Sequence, residues 1–207
     1  MNLKKILTII LLSSITLSSL SITSLKEVKA NELTSNKVIK NTLNTNSEMN
    51  KSDVYTYDEF VELMSKDLNI SIEESKKIIG ENRTRDGQER TFRNFYTTVS
   101  VNSFFKPVIN FYCDTSEYGN YCGIVKILNV SLDRKSKQFQ GSLYYNLENA
   151  NTIYWELNGD FFNNGTTTIS GGGSVSVGGV GNLQFNLSYS SDHYSYCNKT
   201  GRYKIYN

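Results

Sequence analysis

The sequence predicts an α+β protein, mainly β: a short helical hairpin followed by an antiparallel β-sandwich or barrel-like domain of about eight strands. Three observations lead there. Two helix-capping signatures lie close together before residue 90, apolar residues recur at every second position from residue 91 onward, and Gly and Asn clusters punctuate that second pattern. No helical period interrupts the alternation, so hairpin-linked antiparallel strands are expected.

Residues 1–30 read as a secretory signal. Lys4 and Lys5 form a basic start, an apolar run follows from Ile6 to about Leu25, and Val28-Lys29-Ala30 offers a small-residue cleavage site, which places cleavage after Ala30. Ser13, Ser14, Ser18 and Ser19 weaken the competing reading as a permanent membrane anchor. A secreted, extracellular protein is therefore expected. Cleavage removes four lysines and one glutamate, which turns the net charge of +2 into about −1. No basic surface remains for nucleic acid. Residues 31–54 are rich in Asn, Thr, Ser and Lys without a period, and are expected to be a disordered tether.

Residues 55–90 are expected to form the helical hairpin. In Thr56-Tyr57-Asp58-Glu59 and Ser71-Ile72-Glu73-Glu74 a hydroxyl and a Glu three residues on satisfy the first helical amides. Phe60, Leu63, Met64 and Leu68 share one face, Ile72, Ile78 and Ile79 supply the second, and Gly80 ends it. A DNA-reading helix pair is disfavoured because the segment carries nine acids against six bases. A module that covers a sheet edge or contacts a partner is the better reading.

Residues 91–207 form the expected β domain. Period two places strands near 92–101, 108–113, 123–132, 138–147, 152–160, 166–177, 182–190 and 202–206. Turns are expected at Asp133 to Ser136, Glu148 to Asn151, Asn163-Asn164-Gly165, Gly178 to Gly181 and Asn198 to Gly201. Pro107, the single proline, stands at a strand entrance. Of the three cysteines, Cys113 and Cys122 flank a polar stretch, so a disulfide across the mouth of one hairpin is expected, contributing about 2–3 kcal/mol. Three reduced, partly buried thiols are the alternative. Gly171, Gly172 and Gly173 are expected to accommodate a large group, with Trp155 and Tyr144 or Tyr145 available, or a bulge within the sandwich.

The runs Asn110-Phe111-Tyr112-Cys113, Gly123 to Val130, Lys137 to Gly141, Asn158 to Phe161 and Ser188 to Ser191 resemble those of small exported proteins of Gram-positive bacteria. The resemblance covers the helical pair and the β domain. It implies export and a single two-part unit, and no activity.

Catalytic patterns are thin, so a non-enzymatic protein without cofactor or metal is expected. His193, the single histidine, neighbours Ser191 and Asp192, but adjacent residues on an extended chain point to opposite sides and cannot relay a proton among themselves. Cys197 lies four residues away, an unspecific spacing. Glu156 and Asp160 share one strand face about 13 Å apart, too far for a retaining glycosidase pair. One His and three Cys at these spacings match no zinc set, and residues 171–181 lack the Lys-Ser/Thr of a phosphate loop.

Two binding readings stand. The chain holds 14 tyrosines, and Tyr118, Tyr121, Tyr194 and Tyr196, in or near loops, are the candidate contacts for a protein or glycan at or outside the cell surface. The alternative is a membrane-active toxin or bacteriocin that inserts the hairpin running from Thr166 to Ser190, with Leu183, Phe185, Leu187 and Tyr189 facing lipid.

Overall fold

The computed structural model describes residues 49–85 and 87–205. The expected export signal and residues 31–48 of the expected tether lie outside them. The described chain is mostly strand, with two helices. In chain order the elements are β1 (Met49–Lys51), α1 (Tyr57–Leu68), α2 (Ile72–Ile79), β2 (Thr91–Thr98), β3 (Val108–Tyr118), β4 (Tyr121–Asp133), β5 (Gln138–Asn149), β6 (Thr152–Gly171), β7 (Val175–Ser176) and β8 (Val180–Lys204).

The helices begin and end where their local chemistry dictates. Glu59 accepts from the backbone N–H and the hydroxyl of Thr56, both at 2.8 Å, which also holds its carboxyl below the usual range. Ser71 accepts from the Glu74 N–H at 3.1 Å, and Asn69 and Gly80 close the two helices with positive φ. Their buried face is Phe60, Val61, Met64 and Ile79, packed on Phe92, Tyr112 and Leu128. The pair thus covers a sheet face, not the edge that the sequence reading offered. Arg90 pins it there, donating to the carbonyls of Ile79 and Glu81 and, at 2.9 and 3.1 Å, to the buried Asp114 carboxylate on β3.

The first sheet is antiparallel with the order β1-β2-β3-β4-β7. β1 falls in the segment expected to be tether. It pairs Met49 with Thr97 and Lys51 with Phe95, because the open ladder of β2 gives an extended segment partners its own composition does not supply. β3 and β4 run on to Tyr118 and Tyr121, so the stretch read as a polar loop is a strand pair with a two-residue turn.

β5, β6 and β8 form the second set. β5 pairs along one edge with β6 and along the other with residues 180–185 of β8, while β6 and β8 pair with each other. The strands therefore divide into an open five-stranded sheet and this set, rather than closing one eight-stranded barrel. Two expected turns are strand interior. Asn163-Asn164-Gly165 is a bulged stretch of β6, where a side chain on Gly165 would overlap the Tyr189 carbonyl oxygen. Asn198 to Gly201 lies inside β8, with Gly201 under the Trp155 indole. Tyr145 likewise lies on Gly181. The aromatic rings thus rest on Gly181 and Gly201, and of the expected large groups Tyr145 reaches the 171–173 run, donating its hydroxyl to the Gly173 carbonyl at 2.9 Å, while Gly172, with φ 81°, meets Leu183 first.

Facing sides of both sheets share one core, which includes Phe95, Ile109, Phe111 and Ile127 from the first and Phe139, Leu143, Trp155, Leu157 and Phe185 from the second. All three cysteines are buried in it, and none is disulfide-bonded. The expected Cys113–Cys122 bridge is corrected by the register. Cys122 stands opposite Glu117, four residues along β3 from Cys113, or about 13 Å of strand, whereas a disulfide needs α-carbons within about 7 Å.

Candidate functional site

Burial alternates along the second strand set. Phe139, Leu143, Tyr145 and Leu147 of β5, Ile153, Trp155, Leu157 and Phe161 of β6, and Leu183, Phe185, Cys197 and Tyr203 of β8 point into the core. The residues between them point outward, and the register sorts them into rows. One row reads Gln184, Ser142, Asn158, Asn198; the next Asn182, Tyr144, Glu156, Thr200; a third Val180, Asn146, Tyr154, Arg202. Gln140, Asp160 and Tyr196 extend the face at one end. Four strand positions at 4.8 Å and seven residues of β5 give a surface of about 15 by 20 Å.

The chemistry of this face is amide, hydroxyl and phenol. Its charges are largely paired. Arg202 donates to both Glu148 carboxylate oxygens at 3.1 and 3.2 Å and lies 5.1 Å from the Tyr154 ring centre. His193 Nε2 is 2.8 Å from Asp160 Oδ1 across the β6–β8 ladder, and its ring meets Phe162 edge-on. Partial burial, and the Glu156 carboxylate beside it, push the Tyr154 phenol up. Tyr144 and Tyr154 stand with ring centres 6.1 Å apart, and the Tyr196 hydroxyl donates to Asn158 Oδ1 at 2.9 Å.

The four candidate tyrosines do not gather. Tyr118, 80% exposed, and Tyr121, 43% exposed, face each other across the turn that joins β3 and β4. Tyr194 lies near the opposite end of the 11-residue β3, about 30 Å away along the strand, because it packs 5.4 Å from Phe105 in the β2–β3 loop. Its hydroxyl accepts from Asn102 Nδ2 at 3.3 Å, and Lys137 Nζ lies 4.3 Å above its ring, so Tyr194 is committed to the structure. Tyr196, 55% exposed, belongs to the amide face.

Sequence reasoning missed most of that face. Gln140, Ser142, Asn182, Gln184 and Asn198 are ordinary strand residues, and only the pairing of β5 with both β6 and β8 makes them neighbours. Their alternation with core residues was the one available signal.

The rejected chemistries can now be placed. Cys197 is buried in the core while His193 is half exposed on the outer face, so the two do not form a nucleophile–base pair. Burial pushes the Cys197 and Cys122 thiols up to about 11 and raises Cys113 well above its ordinary value, the direction opposite to an activated nucleophile. Glu156 and Asp160 do share the outward face, four residues apart. Among the described residues no group of three or more His, Cys, Asp or Glu is placed to hold a metal ion. A pocket of about 490 Å³ near the end of α2 is lined by Glu81, Arg83, Thr84, Arg85, Arg90 and Asp114. Three arginines face two carboxylates there, a net of +1, and each arginine is paired: Arg83 bonds Glu81, and Arg85 and Arg90 both bond Asp114 Oδ2. Compared with protein-family models, curated proteins and solved structures, the chain matches none.

Proposed function

We propose that this is an exported, non-enzymatic β-sandwich protein that binds its ligand on the outward face of β5, β6 and β8. The observation that carries the reading is the continuous run of Asn, Gln, Ser, Thr and Tyr across four strand positions. Amides and hydroxyls offer donors and acceptors together, and tyrosine adds contact area at low entropic cost, which makes such a surface adaptable without catalytic chemistry. The export signal at residues 1–30 supplies the compartment.

The test is retention of the purified chain on intact cells or extracellular matrix. Gln184→Arg and Asn198→Arg place bulky charge on the face at solvent-exposed positions, where the fold tolerates it. Loss of retention with an unchanged melting temperature is expected. Equal retention of the double variant overturns the reading.

The membrane-hairpin reading is favoured by exposed Ile169, Val177, Val180 and Tyr189. Leu183 and Phe185 oppose it, since both are buried in the core and insertion would have to unpack them. Release of dye from anionic liposomes by the purified chain would decide for it.

A further inference from the structure

We infer that the ligand of the outward face is an uncharged polysaccharide chain lying across the strands, an assignment that rests on the reading of this face as the binding surface. The argument begins with what the face lacks. A stable protein interface centres on aromatic, methionine or aliphatic anchors that become fully desolvated. Here the middle rows hold Ser142, Asn158, Asn182, Gln184, Asn198, Thr200 and Glu156 around a single aromatic, Tyr144, which is half-buried against Tyr154, and the one aliphatic side chain of the three rows, Val180, stands at the margin; no cluster of apolar anchors forms.

Charge excludes two further classes. Nucleic acids and acidic polysaccharides need cationic groups to replace their counterions. Arg202 is already held by Glu148, and Glu156 and Asp160 would repel a polyanion. A polycation would find only those few carboxylates, one of them beside His193. What remains is a ligand rich in neutral groups that both donate and accept.

Sugar hydroxyls do both, and a side-chain amide presents an acceptor and two donors at adjacent positions, which suits neighbouring hydroxyls. Among the described residues Gln140, Ser142, Asn182, Gln184 and Asn198 spend no side-chain hydrogen bond on the protein, so their capacity is open to a ligand. Tyr196 is fixed by its bond to Asn158, and Tyr144 and Tyr154 hold each other edge-on, so three phenol rings are presented without further ordering cost. The face is open, unlike the concave sites that enclose small molecules. A polymer gains its affinity from repeated shallow contacts instead, and about 15 Å of width accommodates roughly three sugar rings.

The experiment is affinity electrophoresis of the full chain through gels holding hydroxyethyl cellulose, laminarin, galactomannan or glycol chitin, with heparin and polygalacturonate as anionic controls. Retardation by at least one neutral polymer is expected, unchanged by about 0.5 M salt, since screening acts on charge pairs. Tyr196→Ala and the double variant Asn182→Ala with Gln184→Ala are each expected to weaken it at least tenfold at unchanged melting temperature, while Tyr118→Ala leaves it intact. Binding to the anionic polymers alone, neutral binding that survives both face variants, or no retardation in any neutral gel overturns the assignment. If cell retention is lost in Gln184→Arg with Asn198→Arg while no neutral polymer binds, the glycan is refuted and the binding face survives. Retention that ignores those substitutions refutes the face itself.

Discussion

Replacing Gly201 by Ala tests how β8 fits against the Trp155 indole of its partner strand β6. A β-carbon at 201 would lie 2.6 Å from Cζ2, 2.7 Å from Cε2 and 2.8 Å from Nε1 of Trp155, where ordinary contact begins at 3.4 Å. The indole would have to retreat by almost 1 Å. It is the largest fully buried side chain, and a rigid ring in a close-packed core has no flexible end to yield. Overpacking of this kind costs about 1–3 kcal/mol, and the rigid ring puts this site at the upper end. Against that, alanine lowers the entropy of the unfolded chain and returns about 0.4–1 kcal/mol. The overlap wins by about 2 kcal/mol, which for a domain of this size lowers Tm by about 4–8 °C. Trp155 is the single tryptophan, so thermal unfolding followed by its fluorescence reports on the perturbed contact itself. Trp155→Phe removes the clashing ring atoms, and combining it with Gly201→Ala should cost less than the two changes added together. A Gly201→Ala chain with a Tm equal to or above that of the parent refutes the packing account.

Gly172→Val should also destabilise, by about 1–3 kcal/mol, because a β-branched residue is strained at φ 81° and its β-carbon would meet Leu183 Cδ2 at 2.6 Å; an unchanged Tm in calorimetry contradicts this. The native chain should resist thiol reagents at pH 8, with three thiols reacting only in denaturant, since all are buried and their thiolates disfavoured. Recovery of a single reactive thiol in denaturant without reductant would instead reveal a disulfide. Stability should fall in acid partly through Glu117. Burial pushes its carboxyl up, but hydrogen bonds from Arg93, Cys122 and Thr115 together outweigh that and leave it below its ordinary 4.5. A carboxyl lowered in the folded state contributes stability that is full above the unfolded value and is lost as pH falls through the folded one. Urea midpoints of Glu117→Gln should therefore be lower than the parent's at pH 7, with the gap starting to narrow as pH falls below the unfolded value of about 4.3; parallel curves from pH 7 into acid refute the assignment.

Much of the fold was legible because its causes are local. Thr56 with Glu59 and Ser71 with Glu74 act over three residues, and both helices start where those pairs stand. The turn at residues 133–137 follows from Asp133, whose Oδ1 accepts the Lys135 N–H at 2.9 Å. Alternation located β5 and separated the two faces of the first half of β6 and the start of β8, since period two needs only the strand itself. The candidate site was far less legible: of the four tyrosines, Tyr196 alone lies on the amide face.

By itself, then, the sequence determined the helix ends, the change from period 3.6 to period two, and the two faces of the first half of β6. Tertiary structure decided which glycines break strands and which lie under rings, because Gly201 and Gly165 are answered by Trp155 and by the Tyr189 backbone, each remote in the chain. It also decided that Cys113 and Cys122 stand too far apart to bridge, and that Gln184, Ser142, Asn158 and Asn198 share one row. Register carries those outcomes. It is fixed by how long ladders pack against a common core, and no short stretch of residues encodes the partner it will face.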